Sequence, residues 1–246
     1  MRLLFIALMF AAQPGWGGAR EDIVDGNKLY GESKFAEAAA KYKEAAASDP
    51  FEAAAHFDLG NAYFRLGGPG DLARAIACYQ RAFNLSPRNG GIRHNLDFAL
   101  RRAGESLVPT GMPSAAFVLF HILSRTETSA LHWLGFWAFC LIASAALWRE
   151  GWRERLKGWL LWAGVFWACA AGWWGLLALT EVQSPGVVLA SDAEVRSGPG
   201  LNFPVSFKSP EGRRVSILEE REGWLEIGVL KEGLKGWLPA EQVERI

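Results

Sequence analysis

The sequence predicts a multidomain membrane protein that combines all-α helical repeats, two transmembrane helices and a small all-β barrel. Residues 22–104 are rich in alanine and show helical periodicity. Two apolar stretches, 133–148 and 158–179, contain no Asp, Glu, Lys or Arg. After Pro185 the pattern changes to short β-branched runs with a period of two residues. We therefore expect three separate structural units in one chain.

The composition argues against a nucleic-acid partner and against a metal site. The 26 Lys and Arg residues balance the 26 Asp and Glu residues, and no basic stripe is interleaved with aromatic residues. Cys78, Cys140 and Cys169 are too few and too scattered for a disulfide framework, and we interpret them as small buried hydrophobic residues. The four histidines lack metal-ligand spacing. We expect no cofactor, no metal and no nucleic acid.

Residues 1–19 are predicted to be a signal peptide that is cut near Ala19. Arg2 precedes an apolar run, 3–12, and the segment ends in small residues before Arg20. The run has about half of the roughly 20 apolar residues that a spanning helix needs. A retained, unusually short anchor is the alternative.

Residues 20–104 contain two aligned helical units followed by a capping helix over 92–102. The equivalent positions are Gly26-Asn27 and Gly60-Asn61, Ala38 and Ala75, Tyr42 and Tyr79, Ala45 and Ala82, and Pro50 and Pro87. Small residues stand where two helices touch, an aromatic residue fills the gap, and proline ends the second helix. This pattern resembles the tetratricopeptide repeat (TPR). The resemblance implies a stack of helix pairs with a concave, peptide-binding face.

On that face the resemblance selects residues whose chemistry suits an extended peptide. They are Asn27, Tyr30, Asn61, Phe64 and Arg65, to which the capping helix adds Asn95, Phe98 and Arg102. The amides offer a donor and an acceptor to peptide backbone, and Arg65 offers a bidentate contact to a carboxylate. In the alternative interpretation, Tyr30 and Phe64 pack within the stack and the asparagines bond neighbouring backbone.

Two transmembrane helices are expected, over 131–148 and 158–179. Nine of the twelve tryptophans fall between Trp133 and Trp174, as is typical of membrane interfaces. Residues 105–130 are expected to form a linker with a possible interfacial helix, and 149–157 a basic loop. The alternative is a buried core hairpin, although no other part of the chain is large enough to surround one.

The distribution of basic residues predicts the topology. The loop between the spans carries Arg149, Arg153, Arg155 and Lys157, whereas the outer flanks offer only Arg125 and Arg196. By the positive-inside rule the loop is cytoplasmic, and both soluble regions are extracytoplasmic. Because the two apolar stretches carry no ionisable group, we expect an anchor or a partner-packing surface rather than a channel or pump.

Residues 186–246 are predicted to form a small barrel of about five short strands. The string 193–205, together with Gly212, Trp224 and Gly236-Trp237, resembles the bacterial SH3 domain. The resemblance implies a peptide or cell-wall groove, for which Phe203, Trp224 and Trp237 are the candidate residues. The alternative is that these aromatic residues belong to the barrel core.

No motif points to catalysis, because no nucleophile elbow, zinc-protease helix, phosphate loop or Ser-x-x-Lys arrangement is present. The order of the units resembles the BatE family of the Bacteroides aerotolerance operon. That resemblance implies a non-enzymatic interaction scaffold in a stress-related membrane complex, with membrane partners that carry von Willebrand-type domains. The alternative function is a peptidoglycan-binding protein that recruits a hydrolase.

Overall fold

The computed structural model describes residues 16–109, 111–148, 150–181, 184–229 and 232–246. The helices are α1 (Trp16–Gly31), α2 (Phe35–Ser48), α3 (Ala53–Leu66), α4 (Asp71–Leu85), α5 (Gly90–Arg102), α6 (Ser114–Phe120), α7 (Arg125–Trp148) and α8 (Glu150–Glu181). The strands are β1 (Ser184–Val188), β2 (Ala193–Arg196), β3 (Val205–Ser209), β4 (Arg214–Arg221), β5 (Trp224–Val229), β6 (Leu234–Pro239) and β7 (Val243–Arg245). Most of the expected signal peptide, 1–15, lies outside the described residues.

Helices α1 to α4 form two stacked pairs, which confirms the expected helical repeats. In each pair a glycine of the first helix lies against a tyrosine of the second. A Cβ atom on Gly26 would lie 2.6 Å from the Tyr42 ring, and one on Gly60 would lie 2.7 Å from the Tyr79 ring. Only glycine allows this close approach. Helix α5 buries its apolar stripe, which includes Leu96 and Leu100, and so extends the stack.

Helices α7 and α8 pack against each other as a hairpin. Arg125–Trp148 and Gly151–Ala178 are long and apolar enough to cross a membrane, by length and composition. Only 6% of the most apolar part of the first helix and 0% of that of the second are buried inside the protein. This does not fit the alternative of a buried core hairpin. Of the three cysteines expected to be buried, Cys78 is buried, Cys140 on α7 is half-buried and Cys169 on α8 is exposed, because the hairpin buries little of its own surface.

The bounds of this hairpin differ from the expected ones. Helix α7 begins at Arg125, inside the expected linker, because Ser124 and Glu127 form a capping box: the Ser124 amide donates to Glu127 Oε2 (2.8 Å) and the Glu127 amide to Ser124 Oγ (3.3 Å). The segment expected as a basic loop is helical from Glu150 onward. Its Arg, Glu, Leu and Lys residues are good helix formers.

The linker over 105–130 packs on the repeats. It contains α6, but this helix directs Phe117 into the repeat core, where its ring stacks on Phe83 at 6.3 Å between centroids. Leu107 is buried in the same cluster. Val118 and Leu119 of α6 remain exposed. Both faces of α6 are therefore apolar, and one of them is covered by protein.

The C-terminal strands form an antiparallel sheet in the order β3-β2-β6-β5-β4-β1-β7, which fits the SH3-like barrel. Its core consists of alternating residues such as Val195, Leu225, Ile227 and Leu238. The domain begins at β1, two residues before the expected boundary. Val187 of β1 is buried among residues of α4 and α5, so the SH3-like domain rests on the repeat stack.

Candidate peptide-binding cleft and SH3-like face

The concave side of the repeats contains a cleft of about 300 Å³. It is lined by Tyr30, Asn61, Phe64, Arg65, Tyr79, His94, Asn95 and Phe98. Six of the eight residues chosen from the sequence thus lie together. Asn27 and Arg102 are not in the lining, whereas Tyr79 and His94 were missed. Tyr79 was recognisable as a repeat position, but its spacing alone did not show that it reaches the cleft.

Hydrogen bonds fix the amide groups of the cleft. Asn61 Oδ1 accepts from the Tyr79 hydroxyl at 2.9 Å and from Asn95 Nδ2 at 2.9 Å. In the first repeat, Asn27 Oδ1 accepts from the Tyr42 hydroxyl at 2.7 Å. The oxygens of Asn27 and Asn61 therefore bind neighbouring side chains. This is close to the alternative interpretation, except that the partners are side chains rather than backbone.

Burial also affects the ionisable groups of this network. It raises the pKa of the Tyr42 and Tyr79 hydroxyls above the ordinary tyrosine value, so both are neutral hydrogen-bond donors at neutral pH, as an unperturbed tyrosine also is. It also raises the pKa of Asp58, whose Oδ1 accepts from Asn61 Nδ2 at 3.4 Å. The polar floor of the cleft is thus an ordered network that leaves little freedom for its side chains to turn outward.

Two guanidinium groups lie on aromatic rings at the edge of this network. Arg65 is 4.5 Å from the centroid of the Phe35 ring, and Arg102 is 5.4 Å from that of the Phe64 ring. Phe64 in turn contacts Phe98 edge to face at 5.7 Å. Both arginines are exposed. In the part of the chain that the structure describes, no carboxylate lies within 4.0 Å of either guanidinium.

Two candidate tryptophans lie on neighbouring strands of the SH3-like sheet. Strand register pairs Trp224 with Pro239 and Glu226 with Trp237. Because Leu225 and Leu238 point into the core, Trp224 and Trp237 lie on the opposite face of the sheet. Neither belongs to the core cluster around Leu225 and Leu238, but Trp237 is itself buried and Trp224 is half-buried.

The three candidate aromatic residues of this domain differ in exposure. Trp237 is only 7% exposed, and the Arg221 guanidinium lies 5.8 Å from its ring centroid. Phe203 is 44% exposed and packs on Gly198. Its turn is held by Arg196, whose Nη1 donates to the Phe203 carbonyl at 2.8 Å. Phe203 is therefore exposed and Trp224 half-buried, whereas Trp237 is covered.

Two observations concern metal binding and thiol reactivity among the described residues. Among the described residues, no three His, Cys, Asp or Glu side chains are grouped so that they could hold a metal ion. Burial raises the pKa of the Cys78 thiol to about 12, which makes it a poor nucleophile at neutral pH.

Comparison with known proteins supports the two soluble domains. The tetratricopeptide repeat model matches residues 26–89, and the bacterial SH3 domain model matches residues 191–244. A putative N-acetylmuramoyl-L-alanine amidase, YrvJ of Bacillus subtilis (strain 168), is 36% identical over 61 residues, which cover 25% of this chain and 12% of that protein. The chain thus matches about an eighth of the length of this relative.

Among solved structures, the first TPR of Spaghetti (RPAP3) bound to the HSP90 peptide SRMEEVD covers 36% of this chain and 95% of that chain, with 19% identity and a TM-score of 0.22. The two family matches show that the chain contains tetratricopeptide repeats and a bacterial SH3 domain, and its structure adds two apolar helices that are candidates for membrane spans.

Proposed function

We propose that the protein is a membrane-anchored, extracytoplasmic interaction scaffold whose TPR cleft binds an extended peptide that carries a carboxylate. The observation that supports this most is the pair of exposed guanidinium groups, Arg65 and Arg102, on aromatic rings beside the cleft. Stacking orients each guanidinium before a ligand arrives, so less entropy is lost on binding. An acidic peptide supplies the missing counter-charge.

The membrane arrangement is supported by two independent features. Four basic residues, at positions 149, 153, 155 and 157, lie between the apolar stretches, which favours a cytoplasmic hairpin connection. In addition, the repeats and the SH3-like domain contact each other, so both must lie on the same side of any membrane that the hairpin crosses. A periplasmic location of both the repeats and the SH3-like domain satisfies both requirements.

The proposal of a particular complex rests on the order of the repeats, the apolar helices and the SH3-like domain along the chain. A non-enzymatic role beside membrane proteins with von Willebrand-type domains, in an aerotolerance or stress-related complex, follows from the resemblance to the BatE family. The cleft is compatible with that role because a scaffold needs a peptide-binding surface and no catalytic group. We place the protein among such scaffolds on this basis.

A second candidate function is binding of peptidoglycan through the SH3-like face, with recruitment of a hydrolase by the repeats. Two observations favour it: Phe203 is exposed and Trp224 is half-buried, so both keep accessible aromatic area, and one relative is a putative amidase. A pull-down with purified peptidoglycan tests it. Retention that is lost in Trp224→Ala supports the wall-binding role, and absence of retention rejects it.

The first candidate is tested with acidic peptides on the full chain in detergent micelles. Arg65→Gln removes one guanidinium but leaves the Asn61 network intact. Asn61→Ala is unsuitable, because it deprives Tyr79 and Asn95 of their acceptor. By fluorescence anisotropy we expect Arg65→Gln to weaken binding by roughly 2 kcal/mol, the value of a hot-spot residue.

The control is Arg93→Gln, since Arg93 is an exposed arginine of α5 outside the cleft lining. Arg93→Gln should bind acidic peptides like the wild type. Equal affinities for acidic peptides and for their amide-containing counterparts would show that the cleft does not select carboxylates.

A further inference from the structure

Helix α4 obtains the cap of its N-terminus from the other domain. Its own N-cap residue, Gly70, has a left-handed backbone (φ 78°) and no side chain to accept a hydrogen bond. Glu211, in the turn between β3 and β4, supplies the acceptor instead: its Oε1 accepts from the backbone amides of Leu72 (3.1 Å) and Ala73 (3.4 Å). A carboxylate at this position also faces the positive end of the helix dipole.

The next residue of the same turn, Gly212, lies against both α4 and the end of α5. Gly212 has φ +80°, and a Cβ atom on it would lie 2.6 Å from Ala103 Cβ and 3.1 Å from Ile76 Cδ1. Ile76 belongs to α4, and Ala103 is the C-cap of α5. The turn thus touches both helices at once, and only glycine allows this approach.

Further contacts hold the SH3-like domain against a later part of α4. The Arg81 guanidinium pairs with Glu244 at 2.7 Å and also donates to the Arg245 carbonyl. Arg214, beside the turn, donates to the Ser106 carbonyl at 2.6 Å. The SH3-like domain therefore contacts α4 from its first turn, through Ile76, to Arg81, and contacts the chain just after α5.

We propose that the SH3-like domain acts as a clamp that holds α4 against α5 and so fixes the geometry of the TPR cleft. Tyr79 of α4 and Asn95 of α5 both bond Asn61 in the cleft, so any separation of the two helices disturbs this shared acceptor. The part of the clamp that concerns peptide binding rests on the proposed function. The clamp itself is measurable without a ligand.

The test compares two glycine substitutions in the full chain, reconstituted in detergent micelles. Gly212→Ala and Gly223→Ala introduce a methyl group at nearly the same φ, +80° and +81°, but a Cβ atom on Gly223 has nothing within 4 Å. Both variants put a side chain at a positive φ, and only in Gly212→Ala does the new methyl group meet the other domain. Amide hydrogen exchange of Leu72 and Ala73 is the measurement.

We expect exchange at these two amides to be about fivefold faster in Gly212→Ala than in Gly223→Ala, the factor that loss of one N-cap produces in a local opening equilibrium. Glu211→Ala, which leaves the glycine in place, should give the same acceleration. Equal exchange in all these variants and the wild type would overturn the clamp, whatever the protein binds. Faster exchange with unchanged acidic-peptide affinity would retain the clamp at α4 but overturn its effect on the cleft.

Discussion

At the residue scale, His56 is a buried group whose protonation works against folding. Its Nε2 lies 3.0 Å from the Pro50 carbonyl, and its Nδ1 is buried with no hydrogen-bond partner among the described residues. Burial therefore lowers the pKa of His56. In the window just below the ordinary histidine value of about 6.5, the unfolded chain binds more protons than the folded one, so stability is lost as the pH falls.

We predict that the free energy of unfolding decreases between about pH 6.5 and pH 5, and that His56→Gln removes part of this decrease. Urea unfolding of the wild type and the variant at a series of pH values is the measurement. Part of the slope should remain in the variant, because burial also lowers the pKa of His121. Identical slopes in both proteins would contradict the prediction.

Sequence reasoning reached the residue types of the cleft but not their contacts. The repeat alignment paired Tyr42 with Tyr79, yet nothing in the spacing shows that each hydroxyl reaches the asparagine beside the repeat glycine. Arg65 was chosen for its charge, whereas its position depends on Phe35, a residue of the preceding repeat. Contacts between repeats depend on how the helices stack, and this is set by tertiary packing rather than by periodicity.

At the element scale, the close approach of paired helices depends on the repeat glycines. We predict that Gly60→Ala destabilises the protein by about 1–3 kcal/mol, the usual cost of overpacking, because the new methyl group meets the Tyr79 ring. Thermal unfolding followed by circular dichroism measures the change. The matched control is Gly31→Ala in α1, where nothing lies within 4 Å of an added Cβ. It should be neutral or stabilising, and a similar loss in both variants would refute the packing argument.

The existence of most elements was predictable from the sequence, whereas some of their ends were not. The two helix pairs and the capping helix follow from periodicity and from proline positions. The start of α7 differs from the expected one because hydropathy alone does not reveal the capping box of Ser124 and Glu127. The start of α8 differs because a basic segment does not by itself indicate a loop. Charged residues with high helix propensity extend an apolar helix without a break.

At the scale of the whole molecule, the hairpin should place both soluble domains outside the cytoplasm. A reporter that is active only outside the cytoplasm should be active when it is fused after Gly104 or after Ile246, since the basic segment favours the cytoplasm. A reporter that is active only in the cytoplasm should be active after Lys157, within that segment, which serves as the control. Activity of this cytoplasmic reporter after Gly104 or after Ile246 would exclude the topology.

The contact between the two soluble domains lay beyond sequence reasoning. Each domain was recognisable from its own residues, and the two spans between them suggested independent modules on a common anchor. Glu211 stands in an ordinary polar turn, and neither its type nor its neighbours indicates a helix N-terminus 139 residues away. Such a pairing depends on shape complementarity at Gly212 and is visible only in three dimensions.

The interdomain cap also has a consequence for biosynthesis. Leu72 leaves the ribosome 139 residues before Glu211, which corresponds to roughly 7–28 s at a synthesis rate of about 5–20 residues per second. During this interval the Leu72 and Ala73 amides lack their Glu211 acceptor and are left to water, while the two apolar helices are still being synthesised. The cap therefore forms only after both apolar helices have been made. In a chain truncated before residue 211 we expect α4 to fray at its first turn.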